Sequence, residues 1–246
     1  MVSKIEWCDA TWNCVTGCTK TSPGCLKCYA EAMTRRLQGM YFAQCAKGHS
    51  ETGFTKYKDG FNKVVLHYDM LSYPATMQKP CRIFVNSMSD TFHADVHNGF
   101  LNDIFTQMRV AHWHTYQVLT KRSERLLERD PHIDWYRNIW MGVTVENERY
   151  KSRIDHLRAT GAQVKYLSCE PLLGSLTELN LDGIHQVIVG AETGSGARPM
   201  NPAWAREIQV QCREQGVAFF MKAMSRKAEI PADLMIREYP KGENCE

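Results

Sequence analysis

The stretch from Cys14 to Tyr29, CVTGCTKTSPGCLKCY, constrains this chain more than any other, because it sets Cys14, Cys18, Cys25 and Cys28 on a short loop rich in Gly, Pro, Ser and Thr. Cysteines that only fill a core are scattered singly along strands and helices, whereas soft-metal ligands must converge from a flexible segment. Two metals satisfy the spacing. Cys18, Cys25 and Cys28 alone would hold three corners of an iron–sulfur cube and leave one iron open to a substrate or cofactor. With Cys14 added, the pairs Cys14-x3-Cys18 and Cys25-x2-Cys28 would close a tetrahedral zinc site, structural and chemically silent.

Composition narrows the class. A chain of 246 residues with 43% hydrophobic content can bury one substantial core and lies within the size range of a single α/β barrel. Its 10 cysteines raise the question of a secreted disulfide scaffold, but the length argues against one, and the N-terminal MVSKIEWCDA has no apolar signal segment. No apolar run approaches bilayer length, so a reducing cytoplasm and no membrane partner are expected. A formal charge of +3 neither requires nor excludes a polyanionic partner.

After the cysteine loop, Glu31 to Cys45 reads as a helix with Met33, Leu37 and Met40 or Tyr41 on one face and Arg35 and Arg36 on another. From residue 46 to 80 the pattern loosens into an irregular insert in which Lys47, Lys56, Lys58 and Lys63 alternate with Phe54, Tyr57, Phe61 and Tyr68. Such a mixture suits stacking on a single-stranded or flipped base, and an ordinary surface excursion has the same composition.

Beyond Pro80 the chain becomes rhythmic. Strands are expected at RIFVNS (82–87), TYQVLT (115–120), NIWMGVTV (138–145), VKYLSC (164–169), QVIVG (186–190) and VAFFM (217–221), with a first strand near Trp7 to Val15. Most are continuous apolar runs, the mark of strands buried on both faces. Helical patterns fill the gaps: Val96, Phe100, Ile104 and Met108 share a face, Asn147 to Thr160 ends at Gly161, and Asn201-Pro202 opens a helix closing at Gly216. Ser123 and Asn201 are expected helix caps. The alternation implies parallel strands and a single TIM-like barrel, complete or partial, spanning 1–246 with a C-terminal extension at 225–246.

Active sites of such barrels form where the strands end. Those positions are unusually polar here: Asn86, Ser87, Ser89, Asp90 and His93; Lys121 and Arg122; Thr144, Glu146 and Asn147; Ser168, Cys169 and Glu170; Glu192 before TGSGARP; and Lys222. Buried charges need partners, so the set favours a charged or zwitterionic small molecule. The cysteine loop follows the first strand and opens onto the same mouth. Acid–base chemistry through Glu146, Glu170 and Glu192, with the metal only supporting the fold, is a further reading of the same list. Gly194 and Gly196 could let backbone amides approach an anion, and turn formation explains them equally well.

The Cys-x-x-Cys-Tyr ending of the loop, followed by FVNSMSD, VLTKR, WMGVTVEN, LSCEPLLG, VIVGAETGSGARPM and FFMK, resembles an uncharacterised phage and bacterial family described as radical-SAM-like and named for its three-cysteine motif. The likeness covers about Lys4 to Met224. More distantly the chain is similar to radical S-adenosylmethionine (SAM) enzymes of the spore photoproduct lyase type. It departs from them in having six residues between Cys18 and Cys25 and in carrying Lys27 where an aromatic residue is common. The resemblance implies that Cys18, Cys25 and Cys28 ligate a [4Fe–4S] cluster, with Cys14, at a position typically Pro in that family, outside the ligand set. It implies that SAM is cleaved to a 5′-deoxyadenosyl radical which takes hydrogen from substrate. Ser87, Ser89 and Asp90 would meet the SAM amino group, Lys121 or Arg122 its carboxylate, and Glu146 or Asn147 the ribose. Glu170, Glu192 and Lys222 would then face substrate, and Cys169 could return a hydrogen atom. A nucleotide or nucleic acid, to be modified or repaired, is the candidate substrate, and a flavodoxin- or ferredoxin-like protein the electron donor. The alternative is a zinc-stabilised barrel on Cys14, Cys18, Cys25 and Cys28 that binds nucleic acid or a protein.

Overall fold

The computed structural model describes residues 5–49, 53–194, 196–225 and 228–240. Parts of the expected insert (50–52), of the TGSGARP loop (Ser195) and of the expected C-terminal extension (226–227 and 241–246) lie outside the described residues.

Strands β1 (Ala10–Trp12), β4 (Arg82–Val85), β5 (Thr115–Thr120), β6 (Ile139–Thr144), β7 (Val164–Cys169), β8 (Gln186–Gly190) and β9 (Ala218–Ala223) form one sheet in that order, all neighbours parallel. Two short strands, β2 (Val15–Thr16) and β3 (Val65–Leu66), pair antiparallel outside it. The helices are α1 (Tyr29–Cys45), α2 (Asn98–Val110), α3 (Ser123–Arg129), α4 (Ser152–Arg158) and α5 (Pro202–Glu214). The sheet curls into a half-barrel with β1 and β9 at its ends. The β9 edge is not left bare: Met221 N–H donates to Ile236 O and Glu238 N–H to Phe219 O, so the returning chain covers it.

Continuous apolar runs become strands here because both sheet faces are covered. On the helix side, Val85, Val118, Met141, Val143, Leu167, Val187, Val189 and Met221 pack with Phe100, Ile104, Leu157 and Ile208. On the other side, Phe84, Trp140, Tyr166, Ile188 and Phe220 form a second cluster, closed by Trp7 from the N-terminal segment. Alternation along each strand fixes what reaches the far end of that inner face: Gly142, Thr144 and Glu146 follow Trp140, and Ser168 and Glu170 follow Tyr166.

Several expectations need correction. The first strand is three residues long, because the chain leaves the sheet after Trp12. The buried face of α1 is Ala30 and Thr34 with Leu37 packed nearby, while Met33 and Met40 are exposed. Helix α3 was not read from the sequence, and Ser123 does not cap it; Arg122 stands at the cap and the Ser123 hydroxyl pairs with His156 Nδ1 at 2.9 Å. The segment expected as one helix from Asn147 is a 3₁₀ turn (Glu148–Tyr150) followed by α4. Asn201 caps α5 as expected, accepting from Ala203 N–H. No described helix is long and apolar enough to cross a membrane.

Gly142 and Tyr166 are cross-strand partners on the inner face, and a Cβ at Gly142 would lie 2.4 Å from Tyr166 Cζ. The ring cannot retreat, since it is fully buried and its hydroxyl donates to Val118 O at 3.0 Å. Gly142→Ala is therefore expected to cost about 1–3 kcal/mol in urea denaturation. Gly39→Ala, in α1 with nothing within 4 Å of the added carbon, should instead stabilise by about 0.5–1 kcal/mol. Equal effects at the two sites would contradict this account of inner-face packing.

Candidate active site

The cysteine loop lies across the C-terminal ends of the strands and is tied down from several of them. Its start is fixed by Asn86, directly after β4. Asn86 Oδ1 accepts from Val15 N–H at 3.0 Å and from the Cys14 thiol at 3.5 Å, and its Nδ2 donates to Thr91 Oγ1 at 2.9 Å. Cys14 is buried within the main core, which pushes its thiol up to about 12. Gly17, at φ +86°, threads past the Lys63 and Phe61 carbonyls where a Cβ would be 2.0 Å from Lys63 O, and Cys18 N–H donates to Phe61 O at 2.8 Å. Tyr57 and Phe61 therefore turn inward under the loop with Met88, and only Tyr68 of the four insert aromatics is strongly exposed.

Arg122 is the clamp on the first half of the loop. Its guanidinium donates to Asp90 Oδ2 at 3.1 Å, to Thr19 O at 3.0 Å and to Thr19 Oγ1 at 2.9 Å, and reaches Cys18 Sγ at 3.8 Å. Asp90 in turn accepts from Thr120 Oγ1 at 2.7 Å and from Phe92 N–H. The second half rests on Glu146, which is wholly buried. Glu146 accepts from Ser22 Oγ, pairs with Arg153 at 2.9 Å, and has Lys121 Nζ at 3.7 Å. Gly24 lies so close to Glu146 that a Cβ there would be 2.6 Å from Oε1. Further on, Arg198 donates to Pro23 O at 3.0 Å and Lys27 donates to Gly196 O. Tyr29 hydroxyl donates to Ser87 O at 2.5 Å.

The remaining expected residues fall into distinct settings. Lys222 pairs with Glu170 at 3.1 Å, and Gly190 leaves the space that Glu170 occupies. Glu192 is held by Arg198, with Lys27 Nζ at 4.0 Å. Ser87 Oγ donates to Asn13 Oδ1, Ser89 Oγ to Val15 O, and Asn147 Oδ1 accepts from Arg149 N–H, so all three side chains are engaged within the protein. Cys169 is buried in the main core and its thiol is pushed well up by burial, as a packing cysteine would be. Sequence reading missed Arg153, Arg198, Ser22 and Tyr29. Arg198 stands in TGSGARP, directly after the glycines and Ala197, and Arg153 carries no signal, lying mid-pattern in a helix.

Charge and thiol chemistry meet at this loop. Burial raises the Cys18 thiol to about 11, aided by the Asp90 charge and opposed by Arg122. Cys25 goes the other way: burial works against ionisation, yet the Lys121 charge and hydrogen bonds from Thr21 and Ser22 bring it below the ordinary thiol value. Cys18 and Cys25 are close enough for the charge of one to act on the other. Both Glu146 and Glu192 face two cations, so positive charge is in excess around the loop. Beneath it, the Thr144 and Ser168 hydroxyls stand opposite one another on paired strands, fully buried and with no hydrogen-bond partner among the described residues. Unpaired buried hydroxyls beneath a cationic mouth suit a polar ligand rather than an apolar one.

A zinc site on Cys14, Cys18, Cys25 and Cys28 does not fit, because Cys14 is committed to Asn86 in the core. Among the described residues, no three His, Cys, Asp or Glu side chains converge as they would on a single ion. The partly buried thiols of Cys18, Cys25 and Cys28 remain. A cluster, unlike an ion, spreads its ligand sulfurs over separate irons, and three soft donors on one loop suit it.

Glu192 gives a pH test of the loop tether. Burial favours its neutral form, but the Arg198 side chain and amide, with Lys27, hold its carboxyl below the usual range. A depressed folded-state pKa means that the stabilisation is full above the unfolded value of about 4.3 and is lost as pH falls through the folded value. Glu192→Gln should cost about 1.5–3 kcal/mol at neutral pH. In parallel urea denaturations the gap to wild type should close below about pH 4; a gap independent of pH would contradict the assignment.

A family model described as "Protein of unknown function (DUF5131)" matches residues 2–238. No curated protein and no solved structure matches the chain. With the match covering nearly its full length, the chain belongs to the DUF5131 family.

Proposed function

We propose that this protein is a radical SAM enzyme in which Cys18, Cys25 and Cys28 hold a [4Fe–4S] cluster at the mouth of the half-barrel. The observation that carries the reading is the placement of three partly buried thiols on a loop tethered to the strand ends, above unpartnered inner-face hydroxyls and amid excess positive charge. When bound, the cluster and SAM would supply a 5′-deoxyadenosyl radical able to take hydrogen from substrate.

The chain's own residues position and insulate. Arg122 and Glu146 fix the two halves of the cysteine loop, so the sulfur positions are set by the barrel rather than by the loop alone. Lys121, beside both Cys25 and Glu146, is the cation best placed for a ligand carboxylate. Asp90 keeps its role in the site by holding Arg122 rather than by direct contact. Glu170 with Lys222 would face substrate, with the buried Thr144 and Ser168 hydroxyls beneath them. The cationic excess supports a nucleotide or nucleic-acid substrate, and a flavodoxin- or ferredoxin-like donor would supply the electron. The zinc-binding alternative loses its fourth ligand with Cys14.

Anaerobic reconstitution with iron and sulfide is expected to give a brown protein with about four irons and four sulfides per chain that forms 5′-deoxyadenosine from SAM under reducing conditions. The combined Cys18→Ala, Cys25→Ala, Cys28→Ala variant should lose colour and cleavage together, while Cys14→Ala should keep its iron. A colourless protein that binds one zinc and needs Cys14 to do so would overturn the proposal.

A further inference from the structure

A second sulfur-centred site lies at the opposite ends of the strands. Cys81 immediately precedes β4 and His114 immediately precedes β5, and the two strands bring them together: Thr115 N–H donates to Cys81 O at 3.1 Å, and Cys81 Sγ is 3.4 Å from His114 Nδ1. The other ring nitrogen, Nε2, faces two backbone carbonyls, Pro74 O at 3.1 Å and Met77 O at 3.0 Å. A carbonyl oxygen only accepts, so Nε2 carries the proton and Nδ1 presents its lone pair to the thiol. A nucleophile, a base within reach and a third group orienting that base are the elements of an activated thiol.

The surroundings support reactivity. His114 is buried, which lowers its pKa, so the imidazole rests neutral with the Nδ1 lone pair turned to the thiol. Cys81 is only half-buried, unlike Cys8, Cys14, Cys169 and Cys212. Residues 78–80 before it are exposed, with Lys79 among them, and Arg82 after it pairs with Asp9 at 3.3 Å. The exposed Lys79, two residues before the thiol, suits an anionic reagent.

We propose that Cys81 is a modification site, a His114-assisted thiol that forms a mixed disulfide with small anionic disulfides of the oxidised-glutathione class. The thiol proton passes to His114 Nδ1 as Cys81 Sγ attacks one sulfur of the reagent. A new S–S bond forms, the reagent's S–S bond breaks, and the departing thiolate recovers the proton from the imidazolium. No metal takes part, and the site is at the far end of β4 from Cys18, so the outcome is independent of the cluster assignment.

Cys45 is the internal reference, since it is also half-buried but neighbours the Tyr41 phenol instead of an imidazole. Native protein is treated with oxidised glutathione, quenched at intervals, digested, and each cysteine peptide quantified by mass spectrometry. Cys81 is expected to gain the glutathionyl group about tenfold faster than Cys45, and the ratio should fall to near one in concentrated urea. In His114→Gln, whose amide can still donate to the two carbonyls, the Cys81 rate should drop to that of Cys45 with the native urea midpoint retained. Equal rates at Cys81 and Cys45 in the native wild type, or an undiminished Cys81 rate in folded His114→Gln, would overturn the proposal.

Discussion

The loop's position depends on Asn86. Its φ of 55° puts a non-glycine residue in the left-handed region, at a cost of roughly 1–2 kcal/mol that asparagine tolerates better than most side chains. In that conformation its amide N–H reaches Trp12 O at 2.7 Å, ending the β1–β4 pairing, while its side chain takes Val15 N–H and the Cys14 thiol. One residue thus ends a strand, turns the neighbouring strand out of the sheet and sets where the cysteine loop begins. Without this pivot, β1 would continue along β4 and the thiols would have no fixed relation to the strand ends.

Charge pairing sets the loop's remaining height and tilt. Asp90, Glu146 and Glu192 sit after β4, β6 and β8, and each meets a cation that also faces the loop. Breaking one partner of a buried pair strands the other charge, at several kcal/mol, so these pairs resist piecemeal change even where their net contribution is small. The same low-dielectric setting strengthens the effect of Lys121 on Cys25 and of Arg122 on Cys18. A loop held by ion pairs can present soft donors in a fixed array, which is what cofactor chemistry at an open metal corner requires.

Much of the architecture was legible because parallel strands buried on both faces write themselves as unbroken apolar runs: TYQVLT, VKYLSC and QVIVG match β5, β7 and β8 residue for residue. Polar residues at strand ends were equally visible, since each interrupts such a run. What was hidden depends on long-range contact. The α1 face was misread because the helix packs a small residue, Ala30, and a polar one, Thr34, against the insert and leaves methionines outside. The insert aromatics Tyr57 and Phe61 suit stacking platforms or an ordinary surface excursion by composition, but their partner is the cysteine loop itself. Ser87, Ser89 and Asn147 follow β4 and β6, and nothing in a sequence distinguishes a hydroxyl or amide already paired within the protein from one left for a ligand. The Cys81–His114 contact is invisible for the same reason, as it arises only when β4 and β5 pair.

The central claim is that Cys18, Cys25 and Cys28, and not Cys14, carry an iron–sulfur cluster at the strand ends. Anomalous diffraction at the iron edge from anaerobically grown crystals tests it most directly. The account predicts a compact iron peak bonded to those three sulfurs, with Cys14 still on Asn86; iron bonded to Cys14, or density at a single metal ion closed by four protein ligands, would contradict it.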